Sequence, residues 1–209
     1  MNMLFPRVGI GHDTHKLIPG EGFRLGGVFI PYTLSLQGHS DADVLLHAVT
    51  DALLGAVALG DIGELFPDDD PENRGRNSAD MLKIAYAKVK EQSLMVGNLD
   101  CIIFAQRPKL KDFKAEIAEK IAEILEITSQ QVGIKAKTGE GVGIVGEEIV
   151  IEAQCVVLLI PARHTPANTV QTLMASRSMT NNAPPPNAPP LEKTPPHPAV
   201  VRKTVVNEK

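Results

Sequence analysis

The chain has 209 residues, 43% of them hydrophobic and 22% charged, with a formal net charge of −4; that length is enough for one well-buried core. From Pro161 onward six Lys or Arg stand against two Glu, so residues 1–160 carry about −8, a balance that excludes a broad basic surface for nucleic acid. No apolar run approaches the ~18–20 residues of a membrane span, and no signal or transit segment is legible, so a cytoplasmic protein without membrane or nucleic-acid partners is expected.

Taken in chain order, RVGIGHD from Arg7 reads as a strand, and FRLGGVFIPY reads as a hairpin turning at Gly26 and Gly27. HSDADVLLHAVTDALLGAVALG carries Ala42, Leu45, Leu46, Val49, Ala52, Leu53 and Ala56 at helical spacing. Ser40 is its expected N-cap, Asp43 completes a capping box, and Gly60 ends it. Two further helices, about Ala79 to Gln92 and Asp112 to Leu125, alternate with strands near Leu99–Ala105 and Val132–Lys137. A long last strand covers Glu148–Ile160. Cys101 and Cys155 lie in apolar runs and read as buried thiols rather than a disulfide. These elements predict an α/β (α+β layer) fold, a mixed β-sheet with helices on one face. With no tryptophan and few aromatics, the other face offers an aliphatic surface that other subunits would cover. The domain is expected over residues 1–162, followed by a Pro-rich, disordered tail over 163–209.

Four of the six histidines, His12, His15, His39 and His47, fall in the first 47 residues. On a strand, Asp13 and His15 share a face while His12 and Thr14 take the other. His47 borders the apolar stripe of the first helix and can face that strand. Asp13, His15 and His47 then supply three carboxylate and imidazole ligands with an open position, the arrangement of catalytic zinc. Asp51, one turn on, is expected to accept the second ring N–H of His47. Taken singly, each histidine reads more readily as a satisfied core or surface residue than as a ligand. His39 precedes the expected cap, where helix N–H groups favour an anion. The acidic run GDIGELFPDDDP is either a solvated turn or a shaped lid in which Asp61 and Asp68 bind hydroxyls.

GHDTH, HSDADVLLHAVTDALLGAVALGDIGELFPDDDP, AQRPKL and KAKTGEGVGIVGEEIVIEAQCVVLLI follow in that order between about Arg7 and Ile160. Together they resemble the 2-C-methyl-D-erythritol 2,4-cyclodiphosphate synthase family of the non-mevalonate isoprenoid route. The resemblance implies a phosphorus–oxygen lyase that takes 4-diphosphocytidyl-2-C-methyl-D-erythritol 2-phosphate to the cyclic diphosphate and CMP. It implies a homotrimer with sheets packed together, active sites between neighbouring subunits, one zinc per subunit and a second divalent ion, Mg2+ or Mn2+. On this sequence it assigns zinc to Asp13, His15 and His47, and the second ion to Glu140. His39 and Thr138 become the catalytic residues, with Ser40 beside His39 on the phosphates. Asp61, Ile62, Gly63, Phe66, Pro67, Asp68, Asp69 and Asp70 would bind the erythritol. Ala105, Gln106, Arg107, Pro108, Lys109, Leu110 and Lys111 would form the cytidine pocket, and Lys137, Gly139, Ile144 and Glu147 would complete the substrate site.

Two features depart from the family pattern. Lys137 precedes Thr138 where many relatives have a threonine, and Glu147 stands where some carry an arginine. Lys137 is then either a replacement phosphate-side cation or a solvated strand-end lysine. Two other classes fit the same ligands: a zinc-dependent phosphoesterase, which would release free phosphate, and a non-catalytic trimeric binding protein.

Overall fold

Alternation along the first strand sets the architecture, because one face carries glycines and the other carries bulk. The computed structural model describes residues 5–67 and 69–162; Asp68 and the Pro-rich segment, with the expectations made for them, lie outside the described residues. Strand β1 runs Arg7–Pro19, β2 Phe23–Leu25, β3 Val28–Ile30 and β4 Leu34–Gln37. Helix α1 spans Val44–Ala56, α2 Ile62–Leu65 and α3 Ser78–Glu91, and strand β5 spans Leu94–Phe104. Helix α4 (Lys114–Ile124), strand β6 (Val132–Lys137), helix α5 (Gly143–Gly146) and strand β7 (Val150–Pro161) complete the order.

The main sheet has five strands in the order β4-β1-β7-β5-β6. Among the described residues only β5 and β6 pair in parallel, so the sheet is mixed, as the interleaved elements predict. β2 and β3 form the separate hairpin, closed by Gly26 and Gly27 at φ 63° and 82°, the left-handed pair that a tight hairpin turn requires. Along one sheet face β1 presents Gly9 and Gly11, β7 presents Cys155 and Val157, and β5 presents Leu99 and Cys101, and α1 lies on this face. Contact there is backbone to backbone. A Cβ on Gly9 would come 1.9 Å from the Ala52 carbonyl oxygen, and one on Gly11 would come 2.0 Å from that of Ala48. Leu45, Leu46 and Leu53 of α1 are almost fully buried, each stabilising the fold by roughly 1.5–3 kcal/mol. Cys101 and Cys155 are buried free thiols facing each other across β5 and β7, and both burial and its neighbour push the Cys155 thiol up.

The opposite face is apolar and exposed among the described residues. Val8 (67%), Ile10 (62%) and Val156 (43%) are exposed there, and the His12–Glu152 and Lys135–Asp100 pairs lie in or beside this surface.

The first helix begins later than its sequence suggests. Its N-cap is Asp43, whose carboxylate accepts from Leu46 N–H at 3.1 Å, while Ser40 lies outside the helix. The same carboxylate accepts from the Gly26 and Gly27 amides at 2.8 and 2.6 Å. Tertiary donors therefore choose between two locally equivalent caps, and burial pushes the Asp43 carboxyl up against those three N–H groups. The helix also stops at Ala56, before Gly60, with Ala58 already at φ 56°.

Candidate metal centre

Because Gly9 and Gly11 let α1 rest on β1, His47 reaches down beside the polar end of the strand. Asp13 Oδ2 lies 3.0 Å from His15 Nε2 and 2.9 Å from His47 Nδ1, and the two ring nitrogens are 3.1 Å apart. This near-equilateral triangle comes within a few tenths of an ångström of the ligand–ligand edge of about 3.3 Å that tetrahedral zinc requires. Among the described residues it is the cluster whose His, Cys, Asp and Glu atoms are placed to hold a metal ion. One carboxylate and two imidazoles suit zinc, and the residues present fit the ion.

Each ring is turned by a partner on its far side. His15 Nδ1 donates to the Gln37 carbonyl at 2.6 Å, which leaves Nε2 for the cluster. His47 Nε2 lies 2.9 Å from Ser78 Oγ and 3.0 Å from Ser40 Oγ. Asp51 does not meet the expectation made for it. Its carboxylate accepts from Ile62 N–H at 2.8 Å, because it sits on the side of α1 facing α2, and Ser78 takes its place at His47. Burial also pushes the Asp51 carboxyl up. Burial alone would raise the Asp13 carboxyl too, but hydrogen bonds and charge from His15 and His47 hold it well below the usual carboxylate range. Burial opposes charge on His15 as well, yet Asp13 and the Gln37 carbonyl raise it above its ordinary value.

The cluster opens into a cavity of about 880 Å³. His39, Ser40, Ile62, Gly63, Phe66, Asp69 and Asp70 share its wall with the metal ligands. Sequence reasoning missed Gln37, Asn73, Arg74 and Met81, which also line it, and Arg74 is the one Lys or Arg among them. At the start of α1, where an anion site is expected, the Asp43 carboxylate accepts from the Leu46 N–H. His39 instead faces the cavity from the loop before the helix, its carbonyl accepting from Gly75 N–H at 2.8 Å. Asp61 and Asp70 spend one oxygen each on local caps, to Glu64 N–H and Glu72 N–H. Neither Asp61 nor Pro67 lines the cavity; the Pro67 carbonyl accepts from Asn73 Nδ2 at 2.9 Å. Phe66 is buried under the Arg76 guanidinium, 5.1 Å above the ring.

A second cavity, about 210 Å³, is lined by Ala105, Pro108, Lys109, Leu110, Lys111, Lys114, Ala136, Lys137 and Thr138. Gln106 and Arg107 turn away from it. Gln106 Oε1 accepts from Gly141 N–H at 3.4 Å, and Arg107 pairs with Glu148 at 3.4 Å, the carboxylate that also takes the Tyr32 hydroxyl at 2.6 Å. Thr138 donates to Glu140 Oε1 at 2.5 Å, so Glu140 belongs to this end of the molecule and not to the triangle within one chain. Ile144 and Glu147 are exposed on and after α5, and Gly139 packs against Gly146. Thr14, Glu152, Phe104 and Lys137 form one row across the sheet, so the two cavities share a sheet end but lie three strand spacings apart, roughly 14 Å.

Known proteins resemble this chain in sequence and in fold. The model of the YgbB family matches residues 6–160. The 2-C-methyl-D-erythritol 2,4-cyclodiphosphate synthase of Rhodopirellula baltica is 50% identical over 153 residues, 73% of this chain and 92% of that protein. That of Treponema denticola is 45% identical over 161 residues, covering 76% and 98% respectively. Among solved structures, a CDP complex of IspF from Plasmodium falciparum superposes with a TM-score of 0.67 at 35% identity, over 76% of this chain and 97% of that one. A likeness that runs unbroken from the first strand to the last, at such identity, leaves one conclusion: the chain belongs to the YgbB family.

Proposed function

We propose that this protein converts 4-diphosphocytidyl-2-C-methyl-D-erythritol 2-phosphate to 2-C-methyl-D-erythritol 2,4-cyclodiphosphate and CMP, a phosphorus–oxygen lyase reaction of isoprenoid precursor synthesis. The observation that carries it is the Asp13–His15–His47 triangle at the wall of a cavity with the volume of a small phosphorylated substrate. In the reaction an oxygen of the 2-phosphate attacks the β-phosphorus of the diphosphate, and the bond from that phosphorus to the CMP oxygen breaks. Attacking and attacked groups are both anionic, so the site must screen their repulsion and hold them in line. Zinc on Asp13, His15 and His47 would supply positive charge and Lewis acidity to the diphosphate oxygens.

His39 and Ser40 face the same cavity from the loop before α1 and stabilise the phosphates there, with Arg74, which also lines the cavity, adding a cation. Ile62, Gly63, Phe66 and the Asp68–Asp70 segment hold the erythritol part. Lys109, Lys111, Lys114 and Lys137 around the second cavity suit the cytidine monophosphate end, with Ala105 and Pro108 against the base. A second divalent ion, Mg2+ or Mn2+, fits Glu140, since such an ion takes one or two carboxylates and completes its shell with phosphates and water. No side-chain nucleophile is needed.

Two half-sites about 14 Å apart in one chain are too separate to serve one diphosphate, which favours a homotrimer in which the two cavities of neighbouring copies face each other. The exposed Val8, Ile10 and Val156 face is the surface such packing would cover. Phosphorus NMR on the cytidine substrate tests the reaction. Cyclic diphosphate and CMP in equal amounts are expected; free phosphate would identify a phosphoesterase instead, and unchanged substrate a binding protein.

A further inference from the structure

Ser78 is fully buried at the first position of α3, 31 residues from His47 in sequence, yet its hydroxyl oxygen lies 2.9 Å from His47 Nε2. The single hydrogen of that hydroxyl is already committed, donated to Asp41 Oδ1 in a very short contact, and the Ser78 amide donates to the same oxygen at 3.2 Å. Asp41 is itself tied to this region, its N–H donating to the Arg76 carbonyl at 3.1 Å. A hydroxyl whose hydrogen is committed can only accept from the ring. Resting on the zinc reading above, we propose that the Asp41–Ser78 pair is the positioning device that fixes the tautomer of His47. It places the proton on Nε2 and turns the Nδ1 lone pair to the metal.

The chemistry runs in one direction along the chain of groups. The Asp41 carboxylate is acceptor-only, so it orients the Ser78 hydroxyl; the oriented oxygen then requires an N–H at His47 Nε2. His15 is set by the same logic through the opposite nitrogen, with the Gln37 carbonyl on Nδ1 and Nε2 toward the metal. The two imidazoles thus offer different nitrogens because their outer partners differ, and each outer partner is an oxygen that takes the ring N–H. A consequence follows for Ser40. Its oxygen accepts from Ala42 N–H at 3.2 Å, and with the His47 proton received by Ser78, the Ser40 hydrogen can turn to the Ser78 oxygen, a long 3.5 Å away, or to a phosphate oxygen in the cavity.

The test compares the parent protein with Ser78→Ala, Ser78→Thr and Asp41→Asn. Zinc affinity is measured by chelator competition, the visible spectrum of the cobalt-substituted protein is recorded, and the His47 ring N–H is followed by 1H–15N NMR. Loss of such an outer partner commonly weakens metal binding ten- to a hundredfold, and that loss is expected for Ser78→Ala, with an altered cobalt spectrum. Ser78→Thr, which keeps the hydroxyl, should recover most of the affinity. Asp41→Asn keeps the shape but lets the Asn amide donate and the hydroxyl reverse, so the slowly exchanging Nε2–H signal should disappear. Should Ser78→Ala fail to fold, Asp41→Asn decides the matter alone. Zinc affinity within twofold of the parent and an unchanged cobalt spectrum in the folded variants would overturn the inference while leaving the zinc site intact. A parent protein that takes up no zinc would overturn the zinc reading itself.

Discussion

The two cavities at this end of the sheet are built on opposite principles. Around the Asp13–His15–His47 triangle every ligand is held from behind: by Gln37, by Ser78, and by α1 resting directly on the backbone of β1. Around the second cavity Lys109, Lys111 and Lys137 reach into it, and Glu140, exposed beside it, accepts from Thr138 among the described residues. The first region is held in place by its own chain; the second is an open wall, which in the proposed homotrimer would gain its partners on assembly or binding. Rigidity where a metal geometry would be met, and loose charge where the proposed nucleotide would dock, is the division of labour expected if catalysis rests on positioning at the first and affinity at the second.

That contrast can be broken most severely at Gly11. A Cβ there would lie 2.0 Å from the Ala48 carbonyl oxygen and 2.6 Å from the Ala52 amide nitrogen, both helix backbone that cannot step aside. Gly11→Ala should lift α1 from β1, costing about 3 kcal/mol by overpacking and separating His47 from Asp13. Denaturant unfolding and zinc titration of the variant check both parts. On the other side of the comparison, Lys137→Thr should leave stability near the parent's, since an exposed strand-end lysine contributes little. It should nonetheless weaken substrate by about 1.5–3 kcal/mol, tenfold to a hundredfold, if the amine contacts phosphate. Adding Glu147→Arg should restore part of that loss, and a double-mutant cycle on apparent affinity reads the coupling. Parent-level affinity in Lys137→Thr would make this lysine an ordinary surface residue.

Asp51 sharpens the contrast by a smaller effect. Asp51→Asn retains an oxygen for Ile62 N–H and loses a charge that burial already disfavours, so stability should change by less than about 1 kcal/mol. Its zinc affinity should stay within about twofold of the parent, unlike that of a variant at Ser78.

The smallest effect is one of pH. In the metal-free protein His15 is raised above its ordinary value and Asp13 is depressed. The His15 contribution to stability is therefore fully present below its unfolded value and is lost as pH rises through the folded one. The Asp13 contribution is present above its unfolded value and is lost as pH falls through the folded one. Zinc reverses the His15 slope, because binding must displace that proton. Melting temperatures across about pH 5 to 8 should show the zinc-induced increment growing with pH.

Much of this was legible in the residues themselves. The period of two in GHDTH places Asp13 and His15 on one face, and the helical period places His47 over them, because both signals are local. The cap of α1 was not legible, since SDAD offers three good N-cap residues, Ser40, Asp41 and Asp43, and the choice falls to the Gly26 and Gly27 amides from a distant hairpin. Ser78 escaped for a similar reason. A serine at a helix start reads as local chemistry, and nothing in RNSADML signals a histidine 31 residues earlier. The lysine cavity joins residues near 109 to residues near 137 through the parallel pairing of β5 and β6, which no spacing in the sequence encodes.

The assignment of Asp13, His15 and His47 to zinc is tested most directly by the metal content of purified parent and His47→Ala proteins after dialysis against trace zinc. Alanine is the better helix former, so α1 should persist and the fold should be retained. The expected result is one tightly held zinc per chain in the parent, and loss of that zinc together with turnover in His47→Ala. Full zinc occupancy in a folded His47→Ala protein would contradict the assignment.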